Sequence, residues 1–361
     1  MTKKIKLFDP IVDFKEEEII KKTLKSGFWA SGSGTGNVKK FEKNFSKFVN
    51  SNESVAVNSG TAALHLALSM INIKNKEVIL PSLSFVSTAH AVIYNQGIPV
   101  FADVDPSTLN IDLQSIHEKI TSKTKAILPV HFGGYPADLK DIHKIAKKNN
   151  LLVVEDAAHA CGATFEKKRI GGHSPFVCFS FHPVKNLAMP GGGIISINSK
   201  NYHRLKEKLD SLRWCGISNR KGVKYDIEKL GWNYYMNEFS ASIGLVQLTK
   251  LNKLNRIRQK NALQYYKKIN LISKMPFNEN SVYHFYWILV DEREELRKKL
   301  QEKGIETGIH YQPIHKMKMY YNKISLKNTE EVSKKIITLP THPNLSSQDI
   351  NRIIKIINEF L

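Results

Sequence analysis

Short apolar runs alternate along the first half of the chain with longer segments in which apolar residues recur every three or four positions. The runs predict strands at residues 55–57, 77–80, 99–104, 126–130, 151–154, 175–178 and 194–197. The longer segments predict helices at 13–25, 38–49, 62–68, 87–94, 112–120 and 138–149. This alternation predicts an α/β fold, in which helices cover both faces of a largely parallel sheet.

The pattern changes in the last third of the chain. Residues 232–268 predict a long helical stretch, and beyond it we expect a strand at 283–290 and helices at 292–303 and 348–360. With 361 residues the chain is long enough for two domains. We predict a large α/β domain with an N-terminal arm at 1–245, and a smaller C-terminal α+β domain at 246–361.

Charge and composition exclude several classes of function. The formal net charge is +21, but the lysines are scattered over the predicted helices, so we expect a solvated surface and no nucleic-acid binding. No apolar run approaches the roughly 20 residues of a membrane span, and the N-terminus lacks a signal-peptide core. The cysteines, without metal-type spacing, predict reduced thiols in a cytoplasmic protein with no metal site: Cys161, Cys178 and Cys215.

Lys185 occupies a non-repetitive segment between two predicted core strands, with Ser180 and His182 close by in sequence. Burying an ammonium group is costly unless the group is paired or neutralised. Desolvation lowers the pKa of a lysine and frees its amine as a nucleophile, so Lys185 is a candidate for Schiff-base chemistry. A surface lysine on a loop is the alternative, and this segment alone leaves both open.

Three other segments carry candidate chemistry. Gly60 and Thr61 stand where a strand runs into a helix, which suits a phosphate site or an ordinary helix cap. Asp156 follows the strand at 151–154 and could pair with a protonated pyridine nitrogen or cap the next helix. His159 could lie near the same ligand or be a satisfied core histidine. Residues 28–36 form either a flexible linker or a loop that lines a site.

These motifs occur together in the order and spacing of a known family: residues 59–61, 156–159, 180–182, 185–187 and Asn233. The chain resembles the DegT/DnrJ/EryC1/StrS aminotransferases over essentially its whole length, and residues 304–311 and 339–340 resemble the family's C-terminal motifs. These are pyridoxal 5'-phosphate (PLP) enzymes of fold type I, aspartate-aminotransferase-like, that act mainly on nucleotide-linked keto sugars. The resemblance therefore implies that fold, with a large mostly parallel-sheet domain and a smaller C-terminal α+β domain.

The resemblance also implies a role for each matching residue. Lys185 would form the Schiff base with PLP and then carry the proton, while Asp156 would pair with the pyridinium nitrogen. Asn233 would reach the phosphate of a neighbouring subunit, which implies a homodimer with a shared active site. The cofactor-binding residues would be Gly60, Thr61 and Ser180 at the phosphate, Phe85 and His159 at the ring, and Asp156, Lys185 and Asn233.

The implied reaction moves an amino group from an amino acid, expected to be glutamate, to a nucleotide-linked keto-deoxy sugar for surface-polysaccharide or related glycan biosynthesis. His159 stands where many members have glutamine, which favours a 4-keto over a 3-keto substrate. We expect four residues to line the sugar-nucleotide cleft: Phe28, Trp29, His310 and Tyr311.

Two departures from the family pattern affect the substrate pocket. Residues 188–193 are Ala-Met-Pro-Gly-Gly-Gly, whereas the family commonly has Thr-Thr-Gly-Glu-Gly-Gly, and Tyr235 replaces a common arginine. Members that dehydrate sugars carry a histidine at the Schiff-base position, so Lys185 favours transamination. The alternatives are a cyclitol aminotransferase or a sugar dehydratase, a non-catalytic PLP-binding regulator, and a PLP-free structural or nucleic-acid-binding protein.

Overall fold

The structure, a computed structural model, describes residues 4–361. Its main sheet has seven strands in the order β1-β9-β8-β5-β4-β2-β3. β9 is antiparallel to both of its neighbours, and the other adjacent pairs are parallel. The strands of this sheet are β1 (Glu53–Val57), β2 (Glu77–Pro81), β3 (Ile98–Ala102), β4 (Thr124–Ile127), β5 (Leu152–Asp156), β8 (Phe176–Ser180) and β9 (Gly193–Ile197). The predicted α/β class is therefore confirmed.

Within residues 4–361 the remaining strands form three two-stranded sheets. Their members are β6 (Thr164–Phe165) with β7 (Lys168–Arg169), β10 (Ile217–Lys221) with β11 (Lys224–Ile227), and β12 (Tyr286–Leu289) with β13 (Ile336–Leu339). Only the β12 region was predicted. β10 and β11 are largely exposed and rich in charged residues, so their sequence lacks the apolar alternation that marks a half-buried strand.

The helices match the predicted segments closely where apolar residues are periodic. They are α1 (Phe14–Ser26), α2 (Gly36–Val49), α3 (Gly60–Ser69), α4 (Ser87–Tyr94), α5 (Leu113–Lys119), α6 (Leu139–Lys148), α7 (Tyr202–Arg213), α8 (Glu238–Lys268), α9 (Arg293–Glu302), α10 (Lys327–Lys335) and α11 (Ser347–Asn358). Reciprocal bonds between Asp13 and Glu16 fix the start of α1, and Gly27 ends it in the left-handed conformation at φ 67°. α7 and α10 were not predicted.

Residues 232–237 are extended, so the prediction that the long helix begins at 232 is wrong. The amide of Asn58 donates to the carbonyl of Tyr234 at 2.7 Å, and Tyr235 pairs with Val57, the last residue of β1. The unpaired edge of β1 thus takes up the backbone of this segment. Asn237 then accepts a hydrogen bond from the amide of Ser240 and caps α8.

Successive side chains of the sheet enter separate cores on its two faces. Val55, Val57 and Val154 pack on the face covered by α3, whereas Ala56 and Val177 pack on the opposite face, against α2 and α8. A further core joins the C-terminal end of α8 to β12, β13, α9 and α11, and Ile5 belongs to it. The boundary at 245/246 falls inside α8 and stays a prediction.

None of the helices in the described part of the chain combines the length and apolar character that a membrane span requires.

Candidate active site

A cavity of about 530 Å³ opens at the carboxyl ends of the parallel strands. Loops that follow β1, β2, β5 and β8 line one side of it, and the C-terminal part of the chain lines the other. Open α/β sheets bind ligands at this edge. The cavity brings together most of the predicted site residues: Gly60, Thr61, Phe85, Asp156, His159, Ser180, Lys185, His310 and Tyr311.

The N-terminus of α3 lines the cavity and could serve as a cradle for an anion. Ser59 caps the helix by accepting from the amide of Ala62 at 3.1 Å, and the amides of the first turn have no carbonyl partner within a helix. Gly60 lies against Ser180, where a Cβ at position 60 would be 2.7 Å from the serine Cβ. Glycine at this position therefore allows the two segments to meet.

Asp156 ends β5 and is 4% exposed. One carboxylate oxygen accepts from the Thr88 hydroxyl at 2.8 Å, and the other accepts from the amide of Ala158 at 3.1 Å. Burial raises the pKa of this carboxyl above its ordinary value, and these bonds together with the charge of Lys185 only partly oppose it. A cationic ligand group beside Asp156 would favour the ionised form.

Lys185 lies in a tight loop after β8. Its amide donates to the carbonyl of His182 at 2.8 Å, and the amide of Met189 donates back to the carbonyl of Phe181 at 2.9 Å. Burial lowers the pKa of the Lys185 ammonium to about 8, against the opposing charge of Asp156. Near neutral pH a larger fraction of this amine is therefore unprotonated and nucleophilic than for a solvated lysine.

The contacts of His159 define its tautomer. The amide of Gly133 donates to Nδ1 at 3.3 Å, so Nδ1 is unprotonated and the proton is on Nε2. Nε2 lies 3.1 Å from the hydroxyl of Tyr311 and donates to it. Burial, together with the nearby charge of Lys185, holds the pKa of His159 well below its ordinary value, so the ring is neutral.

Phe28, Trp29 and Asn233 lie outside this cavity. Trp29 is 50% exposed and packs against Phe239, with 6.0 Å between the ring centroids. The carbonyl of Asn233 accepts from the side chain of Asn58 at 3.3 Å. The roles of these three residues, including the reach of Asn233 into a neighbouring subunit, stay predictions.

Phe8, His284 and Asn186 are among the residues around the cavity to which the sequence assigned no role. Phe8 and His284 line it, and Asn186 is the buried neighbour of Lys185. Phe8 arrives on an N-terminal segment whose Ile5 amide donates to the carbonyl of Gly304 at 2.8 Å. Only Asn186 had a signal in the sequence, namely its position next to Lys185.

The residues present fit PLP. The α3 cradle, which a Cβ at position 60 would disturb, suits its phosphate, and Asp156 suits a protonated ring nitrogen. The amine of Lys185 in the same cavity suits its aldehyde.

A family model described as the DegT/DnrJ/EryC1/StrS aminotransferase family matches residues 10–358. The chain belongs to this family. GDP-perosamine synthase of Escherichia coli O157:H7 is 34% identical over 366 residues, covering 99% of both chains. The spore coat polysaccharide biosynthesis protein SpsC of Bacillus subtilis is 33% identical over 378 residues, covering 98% of this chain and 96% of its own.

Solved structures agree with the family assignment. PseC of Helicobacter pylori, an aminotransferase involved in the biosynthesis of pseudoaminic acid, superposes with a TM-score of 0.93 at 26% identity and 99% coverage of both chains. The chain therefore has the fold of PLP-dependent sugar aminotransferases and is an enzyme of that kind. The prediction of PLP as cofactor is confirmed, and the non-catalytic and PLP-free alternatives are not supported.

Proposed function

We propose that this sugar aminotransferase moves an amino group from glutamate to a nucleotide-linked keto-deoxy sugar, with a 4-keto group favoured. Its similarity to a GDP-perosamine synthase supports a nucleotide-linked substrate. Its similarity to a spore coat polysaccharide protein supports a place in surface-polysaccharide or related glycan biosynthesis. The observation that carries the proposal is one cavity that holds Lys185, Asp156 and the N-terminus of α3.

PLP, when bound, supplies an electron sink and a carrier for the amino group. We assign Gly60, Thr61 and Ser180 to its phosphate, and Phe85 and His159 to its ring. Asp156, ionised beside a protonated ring nitrogen, keeps that nitrogen charged. The amine of Lys185, whose pKa of about 8 is close to neutral pH, takes and returns a proton at Nζ.

The acceptor sugar would occupy the part of the cavity that the C-terminal segment covers. His310 and Tyr311 line this part, and the His310 ring is held by a contact of 2.7 Å between Nδ1 and the hydroxyl of Thr338. Phe8 adds an apolar wall. An apolar wall with a few fixed polar groups suits a sugar ring with hydroxyl substituents.

We also propose a homodimer in which Asn233 of each subunit reaches the phosphate site of the other. Apolar side chains exposed on α1 and the loop after it support this assembly: Phe14 at 67%, Leu24 at 54%, Phe28 at 43% and Trp29 at 50%. The free thiols of Cys161, Cys178 and Cys215 support the proposed cytoplasmic location.

Visible absorption of the purified protein tests this function, with a Lys185→Ala variant and the exposed-lysine variant Lys200→Ala as control. We expect wild type and the control to show the band of bound PLP, glutamate to bleach it, and Lys185→Ala never to form it. GDP- and UDP-linked 4-keto-6-deoxyhexoses should restore the band faster than their 3-keto isomers. A wild type that stays colourless with added PLP would overturn the proposal.

A further inference from the structure

His284 is a histidine of the active-site cavity that sequence reasoning did not assign. Its side chain is 4% exposed and lines the cavity. The ring is held between two others: Phe8 stacks on it at 4.9 Å with an interplanar angle of 15°, and His159 stacks at 4.5 Å and 29°. This stacking fixes the plane of the imidazole, so the directions of its two nitrogens are also fixed.

A chain of buried amides sets which nitrogen carries the proton. The backbone carbonyl of Cys161 can only accept a hydrogen bond. The side-chain atom of Asn255 that lies 3.0 Å from it must therefore be the amide nitrogen, which donates. The oxygen of Asn255 then accepts from the Asn186 nitrogen at 3.0 Å, and that nitrogen also donates to the Val282 carbonyl at 3.0 Å. The remaining oxygen of Asn186 faces Nδ1 of His284 at 3.3 Å.

Nδ1 of His284 must therefore carry the proton, because Asn186 presents an acceptor to it. Burial, with the charge of Lys185 nearby, holds the pKa of His284 well below its ordinary value, so the ring carries one proton only. Nε2 is consequently an unprotonated acceptor. Within residues 4–361 it has no hydrogen-bond partner, and it is not sealed in the core.

Such an acceptor selects among the groups that the cavity would receive. Phosphate oxygens and carboxylates offer no hydrogen to it at neutral pH, whereas a hydroxyl does. A buried polar atom left without its bond costs binding free energy, so a ligand with a correctly placed hydroxyl gains over one without it. The sugar carries such hydroxyls on its ring.

We propose that His284 is a specificity-determining residue for the acceptor sugar, whose Nε2 accepts a hydrogen bond from a ring hydroxyl. Asn186 is a positioning residue, because it holds His284 in the tautomer whose Nε2 is unprotonated. This inference rests on the proposed sugar substrate. It also links the sugar site to the Lys185 loop, because Asn186 directly follows Lys185 in the chain.

The first test is the tautomer of His284 in protein labelled with ¹⁵N at histidine, measured by NMR without substrate. A signal with a protonated Nδ1 and a bare Nε2 should be present in wild type and absent in His284→Phe. Asn186→Ala should lose this tautomer preference, whereas Asn261→Ala, which removes a buried amide bound to two other carbonyls, should keep it. A His284 signal with a protonated Nε2 would contradict the proposal.

The second test separates the two half-reactions. His284→Phe keeps an aromatic ring in the stack but loses the acceptor, so PLP binding and bleaching by glutamate should stay within about twofold. The KM for the keto-sugar nucleotide should rise about tenfold, and the preference of wild type for that sugar over an analogue lacking one hydroxyl should disappear. Asn186→Ala should move the same KM by about threefold.

His173→Phe is the matched control. This histidine also has one ring nitrogen bound to a carbonyl, that of Phe165, and the other without a partner in the described chain, but it lies away from the cavity. The KM of the His173→Phe variant for the keto-sugar nucleotide should equal that of wild type. An unchanged KM in His284→Phe would overturn this inference alone. If no amino acid bleaches the PLP band of the wild-type protein, the proposed function is overturned instead. The NMR measurement of the tautomer would still test the geometry of His284 in that case.

Discussion

Glu155 and Asp156 are adjacent on β5, and both are buried, yet their environments are opposite. Because successive strand residues face opposite sides, Asp156 meets the cavity and Glu155 meets the core behind it. Nε2 of His131 donates to Glu155 at 2.9 Å, and the amide of Ser174 donates to its other oxygen at 2.9 Å.

The pKa values of the two carboxyls move in opposite directions. Burial alone would raise the pKa of Glu155, but the hydrogen bonds from His131 and Ser174 hold it below its ordinary value. Burial does raise the pKa of Asp156, because its two donors and the charge of Lys185 lower the pKa by less than burial raises it. The comparison shows that burial alone does not mark a functional carboxylate. The two carboxylates differ in how far their partners offset the cost of burial, and only Asp156 is left with a raised pKa that a cationic ligand group would lower.

The largest effect should follow Asp156→Asn, which removes the charge and nearly conserves the shape. We expect turnover to fall at least about a hundredfold, because the ring nitrogen loses its anionic partner. A carboxyl whose pKa is raised on folding stabilises the fold only at acidic pH, so the PLP-free variant should be no less stable than wild type at pH 7. Stopped-flow kinetics and urea unfolding measure the two quantities. A variant that turns over normally would remove the distinction between the two carboxyls.

Glu155→Gln should show the converse behaviour. Both partners of Glu155 are donors, and His131 is fixed in that role because its Nδ1 accepts from the amide of Ala137 at 3.0 Å. The new NH₂ group must face a donor, so we expect a loss of about 2–4 kcal/mol in the free energy of unfolding. The folded fraction should still bind PLP normally.

The sign of the pH dependence follows from the lowered pKa of Glu155. The stability that this carboxyl contributes is present above the unfolded-state pKa and is lost as the pH falls through the folded-state value. The difference between wild type and Glu155→Gln in urea unfolding should therefore shrink below about pH 4. A difference that grows on acidification would contradict the lowered pKa.

The sequence allowed the main sheet and the cofactor side of the cavity to be predicted because both follow short-range patterns. Apolar runs located its strands, and the loops after them delivered Gly60, Asp156 and Lys185 to one edge. The start of α8 was misplaced because the edge of β1 binds Tyr234 and Tyr235, and the end of α7 binds Trp232 and Tyr234, through long-range backbone contacts. No local pattern encodes such a competition.

The parts of the site that were missed depend on packing across long sequence separations. The rings of Phe8 and His284 stack on each other although the two residues are 276 positions apart in the sequence. Asn186 was adjacent to Lys185 in the sequence, but its importance depends on Asn255 and Val282, which α8 and a later segment bring to it. A motif can name the residues that touch a cofactor more readily than those that orient them.

Thr88→Val should give the smallest effect and the sharpest comparison, since it removes one donor from Asp156 and keeps the shape of the side chain. We expect PLP affinity to fall about fivefold, the net value of one typical hydrogen bond. Loss of this donor raises the pKa of Asp156 further, so the affinity should begin to fall at a higher pH on acidification than in wild type. Equilibrium dialysis of PLP across pH 5–8 measures both effects.

Thr329→Val is the matched control for Thr88→Val. The Thr329 hydroxyl also donates to a carboxylate, that of Asp103 at 2.7 Å, but this pair lies away from the cavity. Equal PLP affinities in the two variants would mean that the carboxylate facing the cavity does not depend on the Thr88 hydroxyl, and that the partners of Asp156 do not set its affinity for the ligand.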